Sequence, residues 1–341
     1  RSELRGSGGL WLAEHAYAAT LRSELLDRDD LIQREESVRR QARARRGEAQ
    51  PAHERLPFHA LEDLALTLNW RIAELRRSAW QIRQLRLKAS GRHGDWQLQI
   101  PAGQALGGSL NADLELAIAD GTARSLSLNA KATGIELAQF LRDAEAKPIV
   151  RAQLAAQLKL QTAGATVPAL KQNLGGAVAL ETGSLNFDQP VLYASLGPEA
   201  AGAVKTWANP LPQMECFVAR LDFIRGRGKS KALLFDTDEF SIVGAGELNL
   251  PGDQIRLVLA LHSKRLSVFS LAGGLPLHID GSLTDPKFHV SDADIARKVF
   301  LSALELPALP VEYIKSIYDA GIHPGKSLCP AAQATALSGL N

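Results

Sequence analysis

The segment from Met214 to Leu250 constrains the fold more strongly than any other part of this sequence. Its apolar residues recur at every second position and are interrupted by two turn-like sequences, RGRGKS and DTDE. Because alternate side chains of a strand point to opposite faces of a sheet, this pattern predicts three consecutive antiparallel strands with one apolar face. On the first strand that face carries Phe217, Ala219, Leu221 and Phe223. The opposite, hydrophilic face carries Glu215, Val218, Arg220, Asp222 and Ile224. The question for function is what covers the apolar face.

Similar alternation recurs from Leu61 to Val290. The clearest hairpin signal is Asp120-Gly121, because an Asp-Gly pair between two alternating segments favours a tight two-residue turn. Short helices are predicted at residues 135–144 and 165–174, and a longer one at residues 191–208. The predicted fold is therefore mainly β with helices (α+β): a long, antiparallel, curved sheet or groove of repeated hairpins with short interleaved helices.

Both ends of the chain are predicted to be helical. Residues 9–47 are rich in Ala, Leu, Glu and Arg, which favour helix, and the last third of this segment is strongly basic. The basic part is interpreted either as a solvated helix end or as a contact with anionic lipid headgroups or an acidic partner. We therefore divide the sequence into an N-terminal helical segment at residues 1–56, a β-groove domain at residues 57–290 and a helical tail at residues 291–341.

The composition argues against a nucleic-acid partner. Formal net charge is +2 and only 6% of the residues are aromatic, so neither a strong positive field nor a stacking platform is predicted. The sequence has no run of about 18 apolar residues, the minimum for a membrane-spanning helix. The first residue is Arg1 rather than Met, so we expect the chain to begin partway through a longer protein, which leaves room for a signal or membrane anchor upstream.

No motif in the sequence predicts catalysis. The Gly-Lys-Ser at residues 325–327 lacks the glycine spacing and the strand–helix context of a nucleotide-binding loop. The histidines have no metal-ligand spacing, and no serine lies in a Gly-x-Ser-x-Gly elbow. Asp236, Asp238 and Glu239 cluster at a predicted turn and are interpreted as a solvated hairpin tip. We therefore predict that the protein is not an enzyme and has no catalytic residue, metal, cofactor or nucleotide.

The sequence contains two cysteines. Cys216 lies on the first predicted strand of the central segment, and Cys329 lies in a loop-like tail. One interpretation is two unpaired thiols. The other is a disulfide that joins the tail to the sheet, which requires an oxidising compartment. Spacing alone leaves both interpretations open.

Four motifs in the second half of the chain carry a family resemblance. ECFVARLD at residues 215–222 is followed by ALLFDT at residues 232–237, VGAG at residues 243–246 and GSLTDP at residues 281–286. Together with the order of the predicted elements, these motifs resemble the C-terminal region of the bacterial AsmA family. The resemblance extends over residues 61–290.

This resemblance implies a periplasmic protein that an upstream helix anchors in the inner membrane. It also implies a β-groove with a hydrophobic interior that binds phospholipid acyl chains as they pass between the inner and outer membranes. An aliphatic lining suits this ligand, because burial of each methylene is worth about 0.8 kcal/mol. The alternative is a structural or assembly factor for outer-membrane proteins, in which the protein's own helices fill the apolar face.

The residues expected to line the groove are apolar positions of the predicted strands. They are Leu114, Leu116, Ile118, Leu126, Leu128, Leu180, Phe217, Leu221, Phe223, Ile242, Leu257 and Leu259.

Overall fold

The computed structural model describes residues 2–11, 16–27, 56–77, 80–143, 147–194, 202, 213–264, 277–290 and 327–340. In these residues the chain is mainly β with short helices, which confirms the predicted class. The strands are β1 Arg5–Trp11, β2 Ala16–Asp27, β3 Ala65–Arg77, β4 Trp80–Arg92, β5 Asp95–Ala105, β6 Gly108–Ala119, β7 Thr122–Glu136, β8 Val150–Arg151, β9 Gln153–Gly164, β10 Gly175–Thr182, β11 Asn186–Phe187, β12 Met214–Ile224, β13 Arg227–Thr237, β14 Phe240–Asn249, β15 Gln254–Ser263, β16 Leu277–Gly281 and β17 Pro286–Val290. The helices are α1 His59–Glu62, α2 Leu137–Asp143, α3 Val167–Gln172 and α4 Cys329–Leu337.

The chain forms two compact units. Unit 1 consists of Arg1–Ile135, Gln139–Ala146 and Gln161–Asn173. Unit 2 consists of Glu136–Ala138, Lys147–Leu160 and Leu174–Asn341.

In unit 1, strands β1 to β7 lie side by side in chain order. The neighbouring strands are antiparallel except for β2 and β3, which are parallel. A parallel pair needs a long crossover connection rather than a tight turn. The residues between these two strands supply its length, and residues 28–55 of that connection lie outside the part of the chain that the structure describes.

The sheet of unit 1 has one apolar and one hydrophilic face, as the alternation predicts. Trp96 lies opposite Leu116, and Leu116 lies opposite Leu126. Positions between these apolar residues carry hydrophilic side chains that are exposed, such as Gln97 and Glu115. We call the side of β3 to β7 that carries Leu68, Leu98, Leu114, Leu116, Leu126 and Leu128 the apolar face of unit 1.

The predicted hairpin at Asp120-Gly121 is confirmed. These two residues connect β6 to β7, and their φ angles are 53° and 63°. Positive φ at both central residues is what a two-residue turn requires to match the twist of its strands. The Asp-Gly pair tolerates this conformation better than most residues do.

In unit 2, the strand order is β9-β10-β12-β13-β14-β15-β16-β17, and β8 pairs separately with β11. Strands β12, β13 and β14 are antiparallel neighbours, so the three strands predicted for the central segment are confirmed. Lys229, Glu247, Arg256 and Asp280 form a row of alternating charge across β13 to β16. Exposed pairs of this kind add little stability, but opposite charges directly across strands favour the observed register.

The helix predicted for residues 9–47 is wrong over the residues that the structure describes. Residues of this segment form part of β1 and all of β2. In β2 the positions of Thr20, Arg22 and Glu24 are exposed, while Ser23 between them is buried beside Ile72 of β3. Pairing of β2 with β1 and β3 therefore overrides the helix propensity of its Ala and Leu residues. Residues 28–47 lie outside the described part of the chain.

The two short helices predicted in the middle of the chain are confirmed as α2 and α3. Thr166 caps α3 by accepting a hydrogen bond from the backbone N–H of Ala169 at 3.3 Å. A longer helix was predicted at residues 191–208. Residues 189–194 are helical, and the rest of the predicted helix, apart from residue 202, lies outside the described residues. Residues 291–326 of the predicted helical tail also lie outside them. The loop-like environment predicted for Cys329 is wrong, because this residue begins α4.

Candidate functional site

The apolar face of unit 2 is a half-buried surface that crosses several strands. Phe217 lies opposite Phe235, with their ring centroids 4.7 Å apart, and Phe235 lies opposite Ile242. Leu257 and Leu259 lie opposite two glycines of β14. We define the apolar face of unit 2 by Val178, Leu180, Phe217, Leu221, Leu233, Phe235, Ile242, Leu257 and Leu259, all of which are half-buried.

The glycines of β14 have a steric role on this face. A Cβ atom on Gly244 would lie 2.4 Å from Cδ2 of Leu233 and 2.7 Å from Cδ2 of Leu259. A Cβ atom on Gly246 would lie 2.2 Å from the backbone oxygen of Arg256. The side chains of leucines on the neighbouring strands therefore occupy the space beside these glycines, and β14 has no room for a larger residue at either position.

The opposite face of the same sheet is the core of unit 2. It carries Cys216, Val218, Ala232, Leu234 and Val243, each at most 1% exposed. From α4 and its flank, Leu328, Ala332 and Ala336 pack against these residues. We call this surface the core face. The alternation predicted Val218 and Arg220 on a hydrophilic face of the sheet, and this is wrong because α4 buries that face.

Asp236 fixes the first turn of α4 to the core face. Its carboxylate is fully buried, and Oδ2 accepts hydrogen bonds from the backbone N–H of Leu328 at 2.9 Å and from Ser327 Oγ at 3.0 Å. Oδ1 lies 2.9 Å from Nζ of Lys264, which is itself buried. The interpretation of Asp236 as part of a solvated hairpin tip is therefore wrong, whereas Asp238 is exposed.

Arg220 binds the other end of α4. Its guanidinium donates to the backbone oxygens of Ala336, at 3.1 Å, and Ser338. Its Nε donates to Asp222 Oδ1 at 2.7 Å, so the buried cation is paired with a carboxylate. A cation is favourable at this position because the carbonyl groups of a helix C-terminus have no partner within the helix and carry partial negative charge.

A disulfide joins Cys216 of β12 to Cys329 at the start of α4. Of the two interpretations that the sequence left open, the structure has the paired one. The disulfide also determines how a nearby cluster is interpreted. Glu215, Asp236 and Cys329 place ligand atoms within 4.8 Å of one another. Since Cys329 is in the disulfide and Asp236 is paired with Lys264, we do not interpret this cluster as a metal site.

The chain itself covers part of the apolar face of unit 1. Phe58, which precedes α1, and Leu61, within it, pack against a cluster formed by Leu114, Leu116, Ile118, Ala123, Leu126 and Trp96. Trp96 Nε1 donates to the backbone oxygen of Leu61 at 2.9 Å. Glu62 accepts from the backbone N–H groups of Asp120 at 2.9 Å and Gly121 at 3.0 Å. We call residues 58–62 the α1 cover.

A cavity of about 1230 Å³ lies against the sheet of unit 1. Most of its lining side chains are those of the hydrophilic face, including Thr67, Ser90, Gln97, Glu115 and Ser127. These five residues lie opposite one another in a row from β3 to β7. The cavity therefore lies mainly over the hydrophilic face, and Leu66, Trp96 and Leu116 of the apolar face also contribute to its lining.

The twelve predicted lining residues fall into two groups. Leu114, Leu116, Ile118, Leu126 and Leu128 are in unit 1, and the other seven are in unit 2. Leu116, Ile118 and Phe223 are buried, with exposures of 9%, 5% and 7%. The other nine are half-buried: Leu114, Leu126, Leu128, Leu180, Phe217, Leu221, Ile242, Leu257 and Leu259. Contact of these residues with lipid stays a prediction.

Sequence reasoning missed the polar anchors of α4, namely Arg220, Asp236 and Lys264. The role of Arg220 could have been recognised from the sequence, because Arg220 and Asp222 lie on the same face of a predicted strand as the apolar Val218. A charged pair on the same face as an apolar residue indicates a face that is buried in part. Nothing local to Lys264 indicated that it pairs with Asp236.

In the described part of the chain, no helix combines the length and the hydropathy that crossing a membrane requires.

Comparison with known proteins gives one family. The sequence model of the AsmA family matches residues 15–188, which is about half of the chain. This match extends further toward the N-terminus than the resemblance at residues 61–290, and it ends before the motifs of β12 to β14. No curated protein and no solved structure matches the chain.

Proposed function

The chain belongs to the AsmA family, and on that premise we propose that it is a non-enzymatic cell-envelope protein that binds phospholipid acyl chains on its apolar sheet faces. The proposal includes transfer of phospholipid between the inner and outer membranes. It also places the chain in the periplasm, anchored in the inner membrane by a segment upstream of Arg1.

The observation that carries the proposal is the apolar face of unit 2. It presents aliphatic and Phe side chains over strands β10 and β12 to β15, and these side chains stay half-buried. Helix α4 packs on the other side of this sheet, the core face. A large apolar surface in water favours a ligand or a partner that covers it.

Two further features support the proposal. The surface consists mainly of Leu, Ile and Val, which suit flexible acyl chains better than flat aromatic ligands. The disulfide between Cys216 and Cys329 fits an oxidising compartment such as the periplasm, since disulfides are rare in the cytosol.

The test is lipid extraction from the purified chain, with quantification of phospholipid per protein. Leu257→Asp places a carboxylate on the apolar face, and we expect the phospholipid content to fall several-fold. Gln254→Asp is the matched control, because the exposed Gln254 lies in the same strand on the opposite face and pairs with the uncharged Asn249. Phospholipid-free wild-type protein, or equal lipid content in both variants, would contradict the proposal.

The second candidate is an assembly factor for outer-membrane proteins whose apolar faces are filled by its own chain. The α1 cover favours it, because Phe58 and Leu61 fill part of the apolar face of unit 1. Under this alternative, the purified protein carries no phospholipid and Leu257→Asp acts on stability alone.

A further inference from the structure

The two ends of the Cys216–Cys329 disulfide differ in their exposure. Cys216 is 1% exposed and lies on the core face beneath α4. Cys329 is partly exposed at the first position of α4. The sequence contains no other cysteine, so no internal thiol competes for this bond. A thiol from another molecule therefore reaches the sulfur of Cys329 more readily than that of Cys216.

The bond holds a segment that is too short to be stable alone. The α4 helix has 9 residues, whereas isolated helices shorter than about 12–15 residues are marginal in water. Its burial against Val218, Ala232, Leu234 and Val243 supplies the missing stability. If the segment leaves, these apolar side chains lose their cover.

The polar contacts at both ends of α4 define the position to which the helix would rebind after reduction of the disulfide. Asp236 accepts a hydrogen bond from the backbone N–H of Leu328, and Arg220 donates hydrogen bonds to the carbonyl oxygens of Ala336 and Ser338. These contacts do not involve either sulfur, so they remain available after reduction. They direct the helix back to one position on the core face, which brings Cys329 back to Cys216.

The environment of Cys329 also permits attack by a thiolate. Oδ2 of Asp236 lies 3.6 Å from Sγ of Cys329, and an isolated carboxylate there would repel an incoming anion. Lys264, 2.9 Å from the other oxygen of Asp236, compensates that charge.

We propose that Cys329 is a thiol-exchange site and that the disulfide is a releasable latch on α4, with a dithiol protein as the partner. The partner's thiolate attacks Sγ of Cys329, a mixed disulfide forms, and Cys216 leaves as a thiolate that takes up a proton. The partner's second thiol then breaks the mixed disulfide and releases Cys329 as a thiol. The chain gains two electrons and two protons, and the partner is oxidised to its disulfide. The reverse reaction closes the latch.

The first experiment identifies the sulfur that is attacked. The oxidised full chain is exposed briefly to glutathione without denaturant, free thiols are blocked with N-ethylmaleimide, and peptides are mapped by mass spectrometry. We expect the glutathione adduct on Cys329 and the maleimide on Cys216. Adducts mainly on Cys216, or no reaction until denaturant is added, would overturn the proposal.

The second experiment measures release of the segment by hydrogen exchange. On reduction of the wild-type chain, we expect amide exchange in residues 327–340 to rise on the order of tenfold, while β14 stays unchanged. The C329S variant changes only the more exposed sulfur, and it should show the faster exchange with and without reductant. If exchange of residues 327–340 does not respond to reduction or to C329S, the polar anchors alone hold α4 and there is no latch.

Discussion

Asp236 joins three parts of unit 2 through one buried carboxylate. One oxygen accepts hydrogen bonds from the start of α4, and the other lies beside Lys264 at the end of β15. Burial of a charge is costly unless it is paired and hydrogen-bonded, and here both conditions are met. Removal of the carboxylate would leave the Lys264 ammonium buried without this partner.

We therefore expect Asp236→Ala to lower the free energy of unfolding by about 3–5 kcal/mol. Urea unfolding of the oxidised chain measures this change. Asp238→Ala is the control, because Asp238 is exposed two residues away, and it should alter stability by less than about 0.5 kcal/mol. An equal change in the free energy of unfolding for both substitutions would show that the buried Asp236–Lys264 pair does not stabilise the fold.

The glycines of β14 allow a second prediction for single residues. Gly246→Ala drives a methyl group against the backbone oxygen of Arg256, which cannot move aside, so we expect a loss of about 1–3 kcal/mol. Gly244→Ala meets side-chain methyl groups of Leu233 and Leu259, which can rotate, and it should cost less. Thermal unfolding of both variants checks this order. Gly183→Ala, where no atom lies within 4 Å, is the control.

Among the elements, the α1 cover depends on one carboxylate. Glu62 accepts two backbone hydrogen bonds from the β6–β7 turn. We expect Glu62→Ala to speed hydrogen exchange in residues 56–64, because a backbone hydrogen bond to a charged acceptor contributes about 1.5–3 kcal/mol. The neighbouring Asp63→Ala, at an exposed position, should leave the exchange unchanged. Unchanged exchange in the Glu62 variant would mean that Phe58 and Leu61 hold the cover by packing alone.

The elements also show which features the sequence could predict. Strands β12 to β14 and the hairpin at Asp120-Gly121 depend on local alternation and turn chemistry, so they were predicted correctly. The N-terminal strands were not, because their Ala and Leu residues favour helix until β1 and β3 pair with β2. That pairing is long-range and leaves no signal in a short window.

The candidate site was predictable only in part, for the same reason. Alternation shows that β12 has two faces, but both faces carry apolar residues, and only α4 decides which becomes core. The contacts that hold α4 on the core face join residues more than 90 positions apart, such as Asp236 and Leu328. The α1 cover likewise could not be inferred, since Phe58 and Leu61 precede the strands that they cover.

For the whole molecule, we propose that this AsmA-family chain binds acyl chains on the apolar face of unit 2. Burial of a methylene there is worth about 0.8 kcal/mol, so the affinity for an acyl chain rises with the number of methylenes that the face covers. The core face cannot serve this purpose, because α4 and the disulfide occupy it. The claim therefore predicts lipid on one face of the sheet and none on the other.

Site-specific photocrosslinking in living cells tests this claim most directly. A photoreactive amino acid is placed at Leu257 or Leu180 on the apolar face, and at Arg256 as the matched position on the opposite face. After irradiation, we expect phospholipid adducts at Leu257 and Leu180 and none at Arg256. Adducts absent from both apolar positions, or equally abundant at Arg256, would contradict it.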